Sequence, residues 1–165
     1  MKMELIQPFI NAADAVLSET LKSSTRIGDV SMDEEVYRRK GVAATIAIRG
    51  DIEGRVIFDL ETETALRVAS VLAGGEIEPN EQLARETVCE LANIIVGNAV
   101  TLLNDQGHSF KVFPPSIHTA ETGFSGGPDS EALVMCFETP SGKVYLNIAL
   151  DYSHQRAFSA IEASA

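Results

Sequence analysis

The sequence predicts an α+β fold in which helices pack on a largely antiparallel sheet. Helical and extended spacings are segregated along the chain: one helix, a group of strands, two helices and a second group of strands. A parallel doubly wound sheet would alternate them instead. The extended runs are short, β-branched and separated by Gly or Pro, as in strands joined by turns. No Pro- or Ser-rich linker divides the 165 residues, so residues 1–165 read as a single domain, long enough to bury a core without disulfides.

Residues 3 to 22 carry Leu5, Ile6, Phe9, Ala13, Val16 and Leu17 at helical spacing, with Pro8 expected near the first turn, where a missing N–H is harmless. From Thr25 to Leu60, the runs VSMDEEVYRR, VAATIAIRG and GRVIFDL read as consecutive antiparallel strands, a meander of two or three. Ala65, Val68, Ala69 and Leu72 then define the inner face of a helix stopped by Gly74-Gly75. The longest helix runs from Asn80 as N-cap to Gln106, ended by Gly107. FKVFPPSIHTA is extended and broken by Pro114-Pro115, the mark of a sheet edge, and TGFSGGPDS is a loop. EALVMCFET and KVYLNIALD form a hairpin around Pro140-Ser141-Gly142.

Composition excludes several classes of function. Acidic residues number 24 against 13 scattered basic ones, a net charge of −11, so counterion release offers no affinity for nucleic acid. The start, MKMELIQPFI, is not built as a signal peptide, and no run approaches the roughly 20 apolar residues of a membrane span, so a cytoplasmic protein is expected. Cys89 and Cys136 match no metal spacing and read as reduced, buried hydrophobes. His108, His118 and His154 are too scattered for zinc, and no G-x-S-x-G opens a helix. Gly126-Gly127-Pro128 lacks the lysine of a P-loop, and Glu34 and Glu35, adjacent on an expected strand, would point to opposite faces.

What remains is the long helix. At about 100° per residue, Ala84, Val88, Leu91, Ile95, Ala99 and Leu102 gather on an inner face, and Glu86, Glu90, Asn93, Gly97 and Asn104 on the outer one. Asn98, on the flank of the inner face, is expected to be a buried amide. An outer polar face is ordinarily just solvated. Two residues argue for more: mid-helix, Asn costs up to about 0.7 and Gly about 1 kcal/mol against Ala, and Asn93 and Gly97 sit one turn apart. Glycine there also removes a side chain that would hold another backbone away. ELIQPFINAA, from Glu4, can be laid on ELANIIVGNA, from Glu90, pairing Gln7 with Asn93; chance and a decayed duplication both explain it.

Glu90-Leu91-Ala92-Asn93 with Gly97 and Ala99, IEGRVIFDLETETALRVASVLAGG upstream and FPPSI downstream resemble the CheC/CheX/FliY family of chemotaxis phosphatases, CheX-type members most closely. The resemblance spans most of the chain, and the single Glu-x-x-Asn matches the CheX type. The first helix offers Asn11 and Glu19 but no second copy. It implies an α+β fold, a homodimer, and a phosphorylated CheY-like response regulator as partner and substrate. The sheet edge near Lys111 to Thr119 is a candidate dimer contact. Mg²⁺ would be supplied by the regulator, with no cofactor of the chain's own.

In such an enzyme, an acyl phosphate needs little beyond a water held in line with the P–O bond. The Asn93 amide offers a donor and an acceptor without repelling the phosphoryl oxygens. The resemblance gives Glu90 a salt bridge to the regulator's lysine, with Glu86 and Gly97 lining the contact. Glu86 beside Glu90 adds negative charge facing an acidic pocket, so steering is poor and local pairing must compensate. The rival is a non-catalytic regulator-binding module of the chemotaxis or flagellar switch type, since a shared fold does not fix chemistry.

Overall fold

The computed structural model describes residues 3–33, 37–75, 78–118 and 131–153. Helix α1 (Met3–Leu21) leads into strands β1 (Arg26–Asp33), β2 (Val42–Gly50) and β3 (Ile52–Leu60), then helices α2 (Thr62–Leu72) and α3 (Glu81–Asp105). Strands β4 (Phe110–Val112), β5 (Ser116–His118), β6 (Ala132–Thr139) and β7 (Gly142–Tyr152) follow. All belong to one sheet of order β1-β6-β7-β3-β2-β4, with β5 also on β2, and every pairing is antiparallel. The α+β arrangement is the expected one.

Strand order corrects the meander. β2 and β3 pair as a hairpin, but β1 joins neither; it pairs with β6 at the far edge, with β7 and β6 between it and β3. Sequence neighbours usually pair, yet an edge opened by a later hairpin can claim an earlier strand. The hairpin at Pro140-Ser141 forms as expected, joining β6 to β7.

Alternation sets the core. Ile46 and Ile48 of β2, Val56 and Phe58 of β3, and Leu146 and Ile148 of β7 are buried under the three helices. α3 rests on β2 and packs against both α1 and α2. Two helical expectations fail at the ends of the elements. Pro8 lies in the second turn of α1 as described, with its ring buried, and Leu72, the last residue of α2, is exposed where the chain turns out at Gly74 and Gly75.

The opposite face of the sheet holds a smaller cluster, Tyr37, Ala43 and Ile57 with Val134 against it. Beside it Asp59 is fully buried and accepts from the Tyr37 hydroxyl at 2.7 Å and the backbone amides of Lys40 at 2.6 Å and Gly41 at 3.1 Å. These bonds tie the segment before β2 to β3. Gly41 is required there because a Cβ would collide with the backbone of Leu60 and Thr62. Burial raises the Asp59 pKa above the ordinary carboxylate range, while the three donors work against that rise.

The two edges of the sheet differ. Across β1, Ile27, Val30 and Met32 stand opposite Phe137, Met135 and Leu133, all core residues on the helix side. The bulge between Ile27 and Val30 restores the alternation that keeps all three on that face. Yet they are about half exposed, because the helices do not reach that far. At the other edge, β4 and β5 are three residues each, separated by Phe113-Pro114-Pro115. Glu34, Glu35, Thr119, the loop 122–130 with Gly126-Gly127-Pro128, and His154 lie outside the described residues.

Replacing Tyr37 by Phe strips one donor from a buried carboxylate and is expected to destabilise the fold by about 1–3 kcal/mol. Losing that bond raises the folded pKa of Asp59 further, so the penalty is full once pH exceeds that pKa and fades in acid, where the carboxyl is protonated. Urea denaturation of Tyr37→Phe and the parent at acid and neutral pH measures both the loss and its sign.

Candidate functional site

Both ends of α3 are fixed locally. Asn80, in extended geometry, accepts at Oδ1 from the Leu83 amide at 2.8 Å, the expected N-cap. At the other end the chain leaves the helix through Gln106 and Gly107, whose φ of 95° suits glycine. Between them Ala84, Val88, Leu91, Ile95, Ala99 and Leu103 are buried. Leu102, expected inside, is exposed. The buried stripe follows the four-residue ridge Ile95–Ala99–Leu103, which winds away from Leu102 toward the helix C-terminus.

By length and mean hydropathy, α3 would pass for a membrane span, but its apolar stripe is occupied by core packing. Cys89 is half-buried rather than buried, and burial raises its thiol pKa, which disfavours the thiolate a nucleophile needs; Cys136 is buried.

Glu86, Glu90, Asn93, Gly97 and Asn104 are all exposed, as expected of the outer face. Glu90 and Asn93 lie about 4.5 Å apart along the axis and roughly 60° apart around it. Among the described residues, no group hydrogen-bonds to or ion-pairs with either side chain. Their neighbours are engaged: Glu86 accepts from Gln82 Nε2 at 3.2 Å, and Arg85 pairs with Glu81 at 3.6 Å. The only pair of such spacing singled out on α1 is also engaged, with Gln7 donating to Asn11 at 2.9 Å and Glu4 accepting from the Tyr152 hydroxyl at 3.2 Å. On α1, exposed Gln7 is held by its own helix and exposed Glu4 by β7, whereas the α3 pair has no such partner among the described residues.

The geometry corrects one assignment and adds another. Asn98 is exposed, not a buried amide: among the described residues none covers that flank of α3. Ile94, beside Asn93, is also exposed. The sequence carried a signal for this: between Glu90 and Asp105 the helix has no charged residue at all. At Gly97 a Cβ would meet nothing within 4 Å, so neither packing nor backbone geometry demands glycine there. The site therefore combines an unpaired carboxylate, an unpaired neutral amide and a gap, all on one rigid helix. Such a set can anchor a cation and hold a small polar molecule, but offers no nucleophile–base pair of its own.

The chain as a whole is similar to known proteins. Residues 42–138 match the family described as chemotaxis phosphatase CheX. The CheY-P phosphatase CheX of Thermotoga maritima is 26% identical over 118 residues, covering 71% of this chain and 76% of that protein. A solved CheX–CheY–BeF₃–Mg²⁺ complex from Borrelia burgdorferi contains a chain 34% identical, with 90% of this chain and 99% of that one covered at a TM-score of 0.72. A CheC-like superfamily protein from Shewanella sp. PV-4 shares the fold at a TM-score of 0.78 and 22% identity, covering 92% of this chain and 99% of that one.

Since Gly97 is helical and its surroundings are open, Gly97→Ala is expected to raise stability by about 1 kcal/mol. Chemical denaturation checks this, and a loss of stability would show that the fold itself needs the glycine.

Proposed function

The chain belongs to the chemotaxis phosphatase CheX family, and on that premise we propose that it hydrolyses the aspartyl phosphate of a CheY-type response regulator. The observation that carries this reading is the Glu90–Asn93 pair, exposed and, among the described residues, without side-chain partners, on a helix whose other face is locked into the core. The Borrelia burgdorferi relative was solved with CheY, Mg²⁺ and BeF₃, a stand-in for the phosphoryl group, which supports a regulator partner and Mg²⁺ in the assembled site. A cytoplasmic location goes with such a partner and belongs to the same proposal.

In the proposed reaction, Asn93 accepts a hydrogen bond from a water and donates one to a phosphoryl oxygen, fixing the water in line with the scissile bond. The water oxygen forms the new bond to phosphorus as the bond to the aspartate oxygen breaks. The products are the regulator's free carboxylate and inorganic phosphate, which carries the water's oxygen and both of its protons before equilibrating with solvent. When bound in the regulator, Mg²⁺ would supply charge neutralisation at the phosphoryl oxygens. Glu90 pairs with the regulator's lysine and sets the register of the helix. Glu86 borders that contact, and Gly97 lets the regulator's backbone close over Asn93. A non-catalytic regulator-binding module would use the same face without needing an amide at 93.

A homodimer through the β1 edge belongs to this proposal. Among the described residues Ile27, Val30 and Met32 are about half exposed and no strand pairs with the outer edge of β1, which supports that contact. They favour it over the edge near Lys111 to Thr119, where Pro114 and Pro115 remove backbone donors. Val30→Lys is expected to shift the protein to monomer in sedimentation equilibrium; a parent that is already monomeric would refute the dimer.

Asn93→Ala is expected to retain capture of the phosphorylated regulator while losing turnover by about 100- to 1,000-fold, and Glu90→Ala to weaken association first. Phosphate release from an acetyl-phosphate-charged regulator measures both. Unchanged turnover in purified Asn93→Ala would overturn the role given to Asn93, and stable binding by the parent with no faster phosphate release would favour the binding module.

A further inference from the structure

We propose that the sheet face opposite the helices carries a second, independent site, in which Arg55, held by Asn147, binds a small monocarboxylate. Arg55 projects to that face from the middle of β3 and is half-buried. Its Nη1 donates to Oδ1 of Asn147 on β7 at 2.6 Å, and Asn147 is only 2% exposed. A surface arginine is ordinarily loose and hydrated. This one is fixed at one nitrogen by a buried amide, which sets the direction of the donors that remain.

The charge of Arg55 has no counterpart among the described residues, where ion pairs are made by Arg26, Arg67 and Arg85 instead. Two carboxylates share its face of β3. Glu53 makes no ion pair with it, and Asp59 is already bonded to the Tyr37 hydroxyl and the amides of Lys40 and Gly41. Burial lowers the Arg55 pKa, as expected of a cation partly stripped of water. A desolvated charge without an opposite one is costly, and an anion from outside removes that cost.

The surroundings select the anion. Directly opposite Arg55 stand Ala47 on β2 and Ala149 on β7, so no long side chain from either paired position covers the guanidinium. Ile57, next on the same face of β3, is fully buried. Together they give a short hydrocarbon tail an apolar floor beside a planar fork that matches a carboxylate. Glu53, Asp59 and a net charge of −11 repel a dianion about twice as strongly as a monoanion, which disfavours phosphate. The site lies across the sheet from Glu90 and Asn93, so it stands or falls separately from the proposed hydrolysis.

The test titrates the full chain with sodium acetate at constant ionic strength, chloride making up the balance, and follows the side-chain Nε–Hε signal of Arg55 by NMR. A saturating shift is expected, with a midpoint of about 10 mM, and phosphate is expected not to saturate the signal over the same range. Asn147→Asp supplies the missing carboxylate from within and is expected to abolish acetate binding. Acetate is also expected to raise the melting temperature of the parent and to leave that of Arg55→Gln unchanged. A shift that stays linear, or acetate binding that survives in Asn147→Asp, would overturn the proposal. Equal gains in melting temperature for the parent and Arg55→Gln would mark acetate as an adventitious additive only, and saturation by phosphate at the same midpoint would make Arg55 a general anion contact; either result sinks the carboxylate site. Should Arg55→Gln fail to fold, the Arg55 signal of the parent decides alone.

Discussion

The placement of Glu90, Asn93 and the other outward groups of α3 follows from that helix's inner face. Its buried stripe, from Ala84 through Ile95 to Leu103, is held between the sheet and two other helices, and the stripe fixes the rotation of the helix about its axis. A helix has one rotational setting, so burying one side decides what the other presents. Glu90 and Asn93 need no local scaffold of hydrogen bonds; the core orients them at a distance. That suits a chemistry in which most of the reacting groups arrive with the partner and the helix contributes only position.

The same constraint explains why an outward face can carry residues that weaken a helix. Asn93 and Gly97 are poor helix formers, but α3 is held by tertiary packing, so propensity losses of about 1 kcal/mol each leave it intact. The absence of charge from Leu91 to Asn104 has a related origin. Part of that segment is core, where burial excludes charge, and the rest is exposed and uncharged. Composition alone merges the two into something that looks like a membrane span.

Away from α3, the sheet shows where this fold depends on partners and where it is self-sufficient. The face opposite the helices is stitched by Tyr37, Asp59 and the amides of Lys40 and Gly41, a satisfied polar centre beside a small apolar cluster. The β1 edge is the reverse: its apolar side chains continue the core beyond the helix layer and find no cover in the described residues.

Sequence periodicity determined the class of fold, the existence and order of the long elements, both ends of α3 and the outward turn of Glu90 and Asn93. Each of these depends on neighbours within a few turns or on a cap, so local spacing suffices to read them. Tertiary structure decided the rest. It moved β1 from a meander to the far edge, because strand order depends on which edges remain open. It exposed Leu72, Leu102 and Asn98, because a helix is buried only where another element lies against it. It also buried Asp59, a carboxylate no pattern would place inside, because three donors from a distant segment converge there. What surrounds a residue is set by long-range packing, and no window of sequence contains it.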